Sequence, residues 1–263
     1  MKQWLGWPTL IGLLFLVPFS VHSGVDPSGQ AASCVQLAQQ ATNTQEKAVF
    51  NFIQSTLQAS QATKDLLCQA LRDGFNKNRI APDRALSLLQ RLNQSTAPLQ
   101  QREDVLIVIG QTLLTLDLPI EMIVSKIEEG MAKGVPMGDI LKEISERMVA
   151  LREVRDFLFA RGIKPGAEIA GTQIKLTFAI VDIVITDITG ALEDLVRNAK
   201  NPEQTAQDAS AIKAVVLSRL ELDPRVPPEL FSFMSKQIND PTSGWLSGLG
   251  QIAMNIASRI KKS

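Results

Sequence analysis

The sequence is poor in the side chains that most often carry catalysis. It has no tyrosine, and its one histidine is His22. Residues 1–23 have the pattern of a secretory signal peptide, so His22 is expected to be removed with them. A mature chain without histidine excludes Ser-His-Asp and Cys-His catalytic sites, and any metal site built on imidazole. No glycine-rich phosphate loop of the Walker or dinucleotide type occurs either. We therefore expect no metal and no cofactor.

An excess of charge of either sign is also missing. Lysine plus arginine and aspartate plus glutamate each number 27 among the 263 residues. Nucleic acids and anionic membranes attract strongly basic proteins, so this balance gives no reason to expect a nucleic-acid partner. The hydrophobic content of 45% is enough for a folded core.

The N-terminus predicts export. Lys2 supplies a basic start, residues 10–17 form a short apolar run, and small or permissive residues precede a cut before Gly24. Residues 24–30 then read as a flexible spacer. Because a membrane-spanning helix needs about 20 residues, a cleaved signal is favoured over an uncleaved anchor. The predicted location is the periplasm or the extracellular space.

Cys34 and Cys68 are the only cysteines. An oxidising compartment favours their pairing, so a Cys34–Cys68 disulfide is predicted. Two buried free thiols are one alternative. Lipid attachment at Cys34 is another, although the mostly polar spacer separates that cysteine from the apolar run.

The stretch from Pro119 to Pro165 predicts the fold class. It contains two helices with apolar residues three or four apart, joined by a Gly134–Pro136 turn, and a second turn of the same kind follows at Gly162. Glycine is suited to the left-handed residue after a helix, and proline does not continue the helix it follows. The apolar positions of the first helix are Ile120, Ile123, Val124, Ile127 and Met131. Helix punctuation is favoured over an anion site at these turns. We predict an all-α, irregular multi-helix bundle of short and medium helices with short Gly/Pro turns.

The pattern also predicts how the chain is divided. Residues 31–197 form the main helical domain, 198–208 a polar loop or linker, and 209–263 C-terminal helices packed on the main domain. Within the main domain, Gly74 is predicted to end a helix. Residues 174–196 alternate at first as a strand would, but their continuous helical stripe predicts a core helix.

Carboxylate pairs leave an enzyme as an alternative, because two acids facing one cleft are enough for glycoside hydrolysis. Solvation or partnered burial is the more ordinary role for such acids, particularly where they are adjacent on a helix and point in different directions. The candidates are Glu128 with Glu129, Asp182 with Asp187, and Glu193 with Asp194.

The C-terminal helix is a candidate contact surface, because an apolar stripe there begins at a tryptophan and is followed by two lysines. A helix of this kind can lie in a membrane interface or contact a partner. The same stripe would equally dock the helix onto the bundle. The residues concerned are Trp245, Leu246, Leu249, Ile252, Ile256, Ile260, Lys261 and Lys262.

Together these features predict an exported, non-catalytic helical protein that acts as a protein-interaction or structural module with an unknown protein partner. Association with a membrane surface through the C-terminal helix is the first alternative, and a carboxylate-dependent enzyme is the second.

Overall fold

A computed structural model of the protein describes residues 33–169 and 173–260. The predicted signal peptide, the predicted spacer, Lys261 and Lys262 lie outside the described residues. The described chain is all-α, as predicted, and belongs to one compact unit. Its helices are α1 (Cys34–Gln40), α2 (Thr44–Ser55), α3 (Gln61–Asn76), α4 (Pro82–Gln94), α5 (Leu99–Gly110), α6 (Glu121–Ala132), α7 (Met137–Phe159), α8 (Phe178–Arg197), α9 (Pro202–Ala206), α10 (Ala209–Leu222), α11 (Pro228–Asn239) and α12 (Trp245–Ile260). A π-helical segment, Gln111–Thr115, continues α5.

The predicted disulfide between Cys34 and Cys68 is present, with both cysteines fully buried. It joins α1 to α3, and α1 also packs on α2. Ser33 caps α1 through a capping box with Gln36, in which each side chain accepts from the other residue's backbone N–H. A seven-residue helix is too short to be stable alone, so the covalent link and the packing hold it in place.

The helical hairpin predicted between Pro119 and Pro165 is confirmed by α6 and α7, which pack on each other. Gly134 has a φ of 69° and Gly162 a φ of 83°, the left-handed conformation predicted for both turns. At the first turn the N–H of Val135 donates to the carbonyl of Gly130 at 2.9 Å, which satisfies one of the last carbonyls of α6.

The predicted helix end at Gly74 is wrong. Helix α3 continues to Asn76, and Asn78, with a φ of 54°, takes the left-handed conformation instead. Asparagine tolerates that conformation better than most residues. Gly74 is a packing position, because a Cβ placed there would lie 3.3 Å from side-chain atoms of Ile80 and Leu113. A glycine near a helix end thus served close packing rather than termination.

The predicted helix over 174–196 starts later than expected, at Phe178. Before it the chain is extended, and Leu176 exchanges backbone hydrogen bonds with Gly166 and Ala167 at 2.7 and 2.8 Å. The strand-like alternation therefore marked a short paired segment, with an isolated bridge between Glu168 and Lys175. From Phe178 onward the core-helix prediction is confirmed, since α8 has eleven buried residues.

The last helices pack directly on the rest of the bundle. Helix α10 lies against α8, α11 and α12, while α12 contacts α7, α8 and α9. The segment 198–208 that separates α8 from α10 includes the short helix α9, whose Ala206 is fully buried. Helix α8 is consequently the element on which both α10 and α12 rest.

Candidate functional site

The apolar stripe of α12 lies inside the bundle. Four of its predicted contact residues are buried, namely Trp245, Leu249, Ile252 and Ile256. Leu246 and Ile260 are half-buried and pack against the core. The structure therefore has the docked arrangement, and these side chains do not form the exposed apolar face that the membrane alternative requires.

An aromatic corner holds the start of α12 against the end of α7. The rings of Trp245 and Phe157 meet edge to face, with centroids 5.5 Å apart. The guanidinium of Arg161 lies 3.7 Å from the Phe157 ring centroid and donates to the carbonyl of Gly244 at 3.1 Å. A Cβ at Gly248 would come within 2.2 Å of the Phe157 ring. The basic residue of the second Gly/Pro turn thus has a structural role.

Most of the candidate carboxylates are partnered by cations, whereas Asp187 has only a 3.7 Å contact with Arg219 and lies against a second acid. Glu128 pairs with Arg84 at 3.0 Å. Glu129 pairs with Lys126 and also with Lys133, which follows it by four residues on the same helix face. The buried Glu193 lies 2.8 Å from Arg147. Asp194 lies 3.3 Å from Arg219.

Asp182 belongs to a charge cluster between the α3–α4 turn, the α5–α6 turn and α8. Arg79, whose side chain is 2% exposed, donates from Nη2 to Oδ1 of Asp182 at 3.0 Å, and its Nε lies 2.8 Å from Oδ2 without forming a hydrogen bond. Its Nη1 donates to Asp117 at 2.5 Å, and Lys77 lies 2.8 Å from the same carboxylate. Both cations stand about 5.1 Å from the ring centroid of Phe178. We refer to these five residues as the Arg79 cluster.

Local backbone geometry brings the cluster together. Asn78 and Asp117 are the two non-glycine residues with positive φ in the described ranges, and each lies next to a cluster residue or belongs to the cluster. The π-helical segment precedes Asp117, and the N–H of Leu118 donates back to the carbonyl of Thr112 at 2.9 Å. The widened turn and the left-handed residue together present the Asp117 carboxylate to Arg79.

The two acids of the Arg79 cluster have pKa values that are shifted in opposite directions. Burial raises the pKa of Asp182 to about 6, an effect that the Arg79 charge opposes and the Asp117 charge supports. For Asp117 the effect of burial is outweighed by the hydrogen bond from Lys77 and by the charge of Arg79, so its pKa is lowered. Each charged residue of the cluster takes part in an ion pair, and both cations also face the Phe178 ring. The cluster is therefore a structural junction between these parts of the chain.

A cleft of about 260 Å³ lies beside the Arg79 cluster. Its charged lining is two arginines and two acids, Arg79, Arg225, Glu121 and Asp182. Glu121 bonds Arg84 at 2.5 Å, and Arg225 bonds Asp223 at the same distance. With these charges engaged inside the fold, the cleft presents no net charge of one sign to a ligand.

An apolar groove between α8 and α10 is the surface with the strongest functional signal. Its volume is about 530 Å³. We call it the α8–α10 groove and define it by Ala191, Asp194, Leu195, Asn198, Ala214, Val215, Ser218, Arg219 and Leu222. Leu222 is 77% exposed, far more than the other exposed large hydrophobic residues of the described chain. The exposed Ala214 and the half-buried Val215 and Leu195 form the rest of the groove's accessible apolar lining.

Helix α10 has apolar residues on two faces. The inner face, Ile212, Val216 and Leu220, is buried on α8 and its neighbours. The outer face consists of four residues that lie three or four positions apart, and none of them is charged. They are Ala211, Ala214, Ser218 and Leu222. Of the four apolar positions that define this helix in the sequence, Ile212, Val216 and Leu220 lie on the inner face, and Val215 lines the groove. The outer spacing was available as a signal, but small residues and a serine made it weak.

Comparison with protein-family models, with curated proteins and with solved structures gave no match. Within the described residues, no group of three or more His, Cys, Asp or Glu side chains is arranged to hold a metal ion. Among the described helices, none combines the length and the apolar character needed to cross a membrane.

Proposed function

We propose that the protein is an exported, non-catalytic interaction module that binds an amphipathic helix of a partner protein in the α8–α10 groove. The observation that carries the proposal is the outer face of α10, with Leu222 77% exposed beside the half-buried Val215 and Leu195. Burying such a leucine stabilises a complex by about 1.5 to 3 kcal/mol.

A helix is the occupant that suits this groove. Side chains on two neighbouring helices form ridges, and a third helix inserts its own ridges between them. The outer face from Ala211 to Leu222 runs for about 16 Å, or three turns, at 1.5 Å per residue. A partner helix of about three turns would cover it.

The rim charges define the chemistry of the partner. Asp194 stands on the α8 wall and Arg219 on the α10 wall, and both are exposed. The partner helix is expected to place an apolar stripe over Leu222 and Val215. Asp194 and Arg219 pair with each other at 3.3 Å, so the partner should offer a basic residue to Asp194 and an acidic residue to Arg219 in exchange for that pair.

Export is supported by the buried disulfide, since such bonds form and persist in oxidising compartments. The non-catalytic assignment is supported by the cation partners of most candidate acids and by the position of the single histidine, His22, in the predicted signal peptide. The membrane-surface alternative depends on the α12 stripe, whose main residues are buried.

Site-specific photo-crosslinking tests the proposal. A photoreactive residue at Ser218, inside the groove, should capture one defined partner in the native envelope, whereas the same residue at Arg152 on α7 should not. Leu222→Glu should abolish the Ser218 adduct, because it places a charge on the apolar face. Leu99→Glu is the matched control, since Leu99 is 49% exposed and lies at the start of α5, away from the groove.

Equal crosslinking by the Leu222→Glu and Leu99→Glu variants would overturn the proposal. An adduct between two copies of this chain, with a doubled mass in light scattering, would replace the partner helix by self-association. Binding to anionic vesicles that both variants retain would instead favour the membrane alternative.

A further inference from the structure

A pair of facing carboxyl groups lies behind the α8–α10 groove. Asp187, on α8, is 4% exposed, and its Oδ2 is buried with no hydrogen-bond donor within reach. Asp223, directly after α10, has a side chain that is 10% exposed and lies within hydrogen-bonding reach of Asp187. Two carboxylates have no proton to share, so the contact is favourable only when one of them is protonated.

Asp223 is the member of the pair that stays ionised. Its Oδ1 accepts from the backbone N–H and the Nε of Arg225 at 2.8 and 2.9 Å, and its Oδ2 accepts from Nη2 at 2.5 Å. These hydrogen bonds hold the pKa of Asp223 down at about 2. The carbonyl of Asp223 also accepts from Val226 at 3.1 Å, so the residue organises the α10–α11 junction, residues 223–227.

We propose that a single proton shared by Asp187 and Asp223 latches the α10–α11 junction onto α8, and that its loss loosens the junction. In the closed latch, the protonated carboxyl of Asp187 donates its O–H to the Asp223 carboxylate. On opening, this proton goes to water and leaves two like charges facing each other. The inference goes beyond the proposed function, because the latch is measurable without a partner.

The charged groups around Asp187 determine the pH at which the latch acts. Burial, and then the charge of Asp223, raise the pKa of Asp187 to about 6. Arg219 opposes them from α10, with its Nε 3.7 Å from Oδ1, and Arg225 opposes them from the junction. Glu121, at the start of α6, acts on Arg225 in turn. The latch is closed below about pH 6 and loosened above it.

The position of the latch connects it to the groove. Leu222 and Arg219 line the groove, and Asp223 follows Leu222 in the chain. When Asp187 ionises, Arg219 is drawn towards it, away from Asp194, to which it bonds at 3.3 Å in this structure. Raising the pH therefore changes both the end of α10 and the rim charge.

Hydrogen exchange of the backbone amides of residues 220–223, Arg225 and Val226 tests the latch. For a pKa of about 6 in the closed form and 3.8 in the open form, the opening equilibrium rises about tenfold between pH 5 and pH 8, after correction for intrinsic exchange. Asp187→Asn should remove this rise, since a carboxamide donates to Asp223 at every pH. Asp194→Asn should retain it, because Asp194 is an exposed acid that contacts the same arginine. A wild-type rise below twofold, or a full rise in Asp187→Asn, overturns the proposal.

A carboxyl carbon NMR titration gives a second readout that does not depend on the Asp187→Asn variant. The Asp187 carboxyl should titrate near pH 6 and Asp223 well below it. In Asp223→Asn the midpoint of Asp187 should fall, since the facing negative charge is gone. An Asp187 midpoint below 5 in the wild type, or one that Asp223→Asn leaves unchanged, also overturns the proposal.

Discussion

Helices α10 and α12 both rest on α8, but they use their apolar residues differently. The stripe of α12 is buried against α7, α8 and α9, and the exposed positions of that helix are polar. Helix α10 buries one apolar face and leaves a second, uncharged face in the open, ending at Leu222. The strongly amphipathic helix, α12, therefore belongs to the core. Helix α10, which has an exposed apolar face, shows little difference in polarity between its faces.

The largest effect separates the anchor residues of the two helices. Trp245→Ala should lower the free energy of unfolding by about 3 to 5 kcal/mol, because it removes a buried aromatic side chain and leaves a cavity. Leu222→Ala should change that free energy by less than about 0.5 kcal/mol, since the side chain is exposed. Urea unfolding followed by circular dichroism measures both. Comparable losses in the two variants would mean that α10 and α12 do not differ as described.

A smaller effect tests how closely α12 approaches α7. Gly248→Ala should destabilise the fold by about 1 to 3 kcal/mol, because the new methyl group meets the Phe157 ring. Gly138→Ala is the matched control in the first turn of α7, where the nearest side-chain atom is 3.8 Å away. Alanine should stabilise that helix by about 0.4 to 1 kcal/mol. Stability changes of the same sign at the two glycines would contradict the close contact.

The smallest effect is a change of stability with pH, because α8 contains two acids that are packed against the rest of the fold. Asp182 and Asp187 have pKa values raised to about 6, so their contribution to stability is present in acid and is lost as the pH rises through 6. Between pH 5 and pH 8 each should remove about 1.4 kcal/mol. Asp182→Asn and Asp187→Asn should each make the slope of stability against pH shallower, whatever their absolute stability, and Glu193, whose pKa burial also raises, contributes in the same direction.

Asp194→Asn supplies the control for this measurement, since it removes a charge from the same helix at an exposed position. Its slope should match that of the wild type. A wild-type protein whose stability rises from pH 5 to pH 8 would show that neither buried acid has the raised pKa described.

Local rules were enough to predict much of the fold from the sequence. The structure has helix boundaries at four residues that the local rules concern, Pro82, Pro228, Gly134 and Gly162. Proline and glycine affect the backbone conformation of the few residues around them, so their effect can be read from the sequence. Gly74 was misread for the same reason, because a glycine chosen for a distant contact with Leu113 looks like a terminator in sequence. The π-helical turn had no sequence signal that we recognised.

The candidate site was harder to predict, because it depends on contacts between distant parts of the chain. Arg79 and Asp182 are 103 residues apart, and no local pattern relates them. Asp182 and Asp187 were singled out as acids in an apolar helix, but their partners became known only with the fold. The outer face of α10 was passed over because the exposed side of a helix is defined only after the buried side is known.

The π-helical segment also has a consequence for how the chain tolerates changes in length. A π turn contains about one residue more than an α turn, and the helix ends directly after it, so Asp117 follows the extra residue from outside the helix. Deleting any one residue of this segment would shorten it to an α turn, which moves the point where the chain leaves the helix and displaces Asp117 from Arg79. At this position the number of residues is constrained more tightly than their identity, and a one-residue deletion would break the same ion pair as the loss of Arg79 itself.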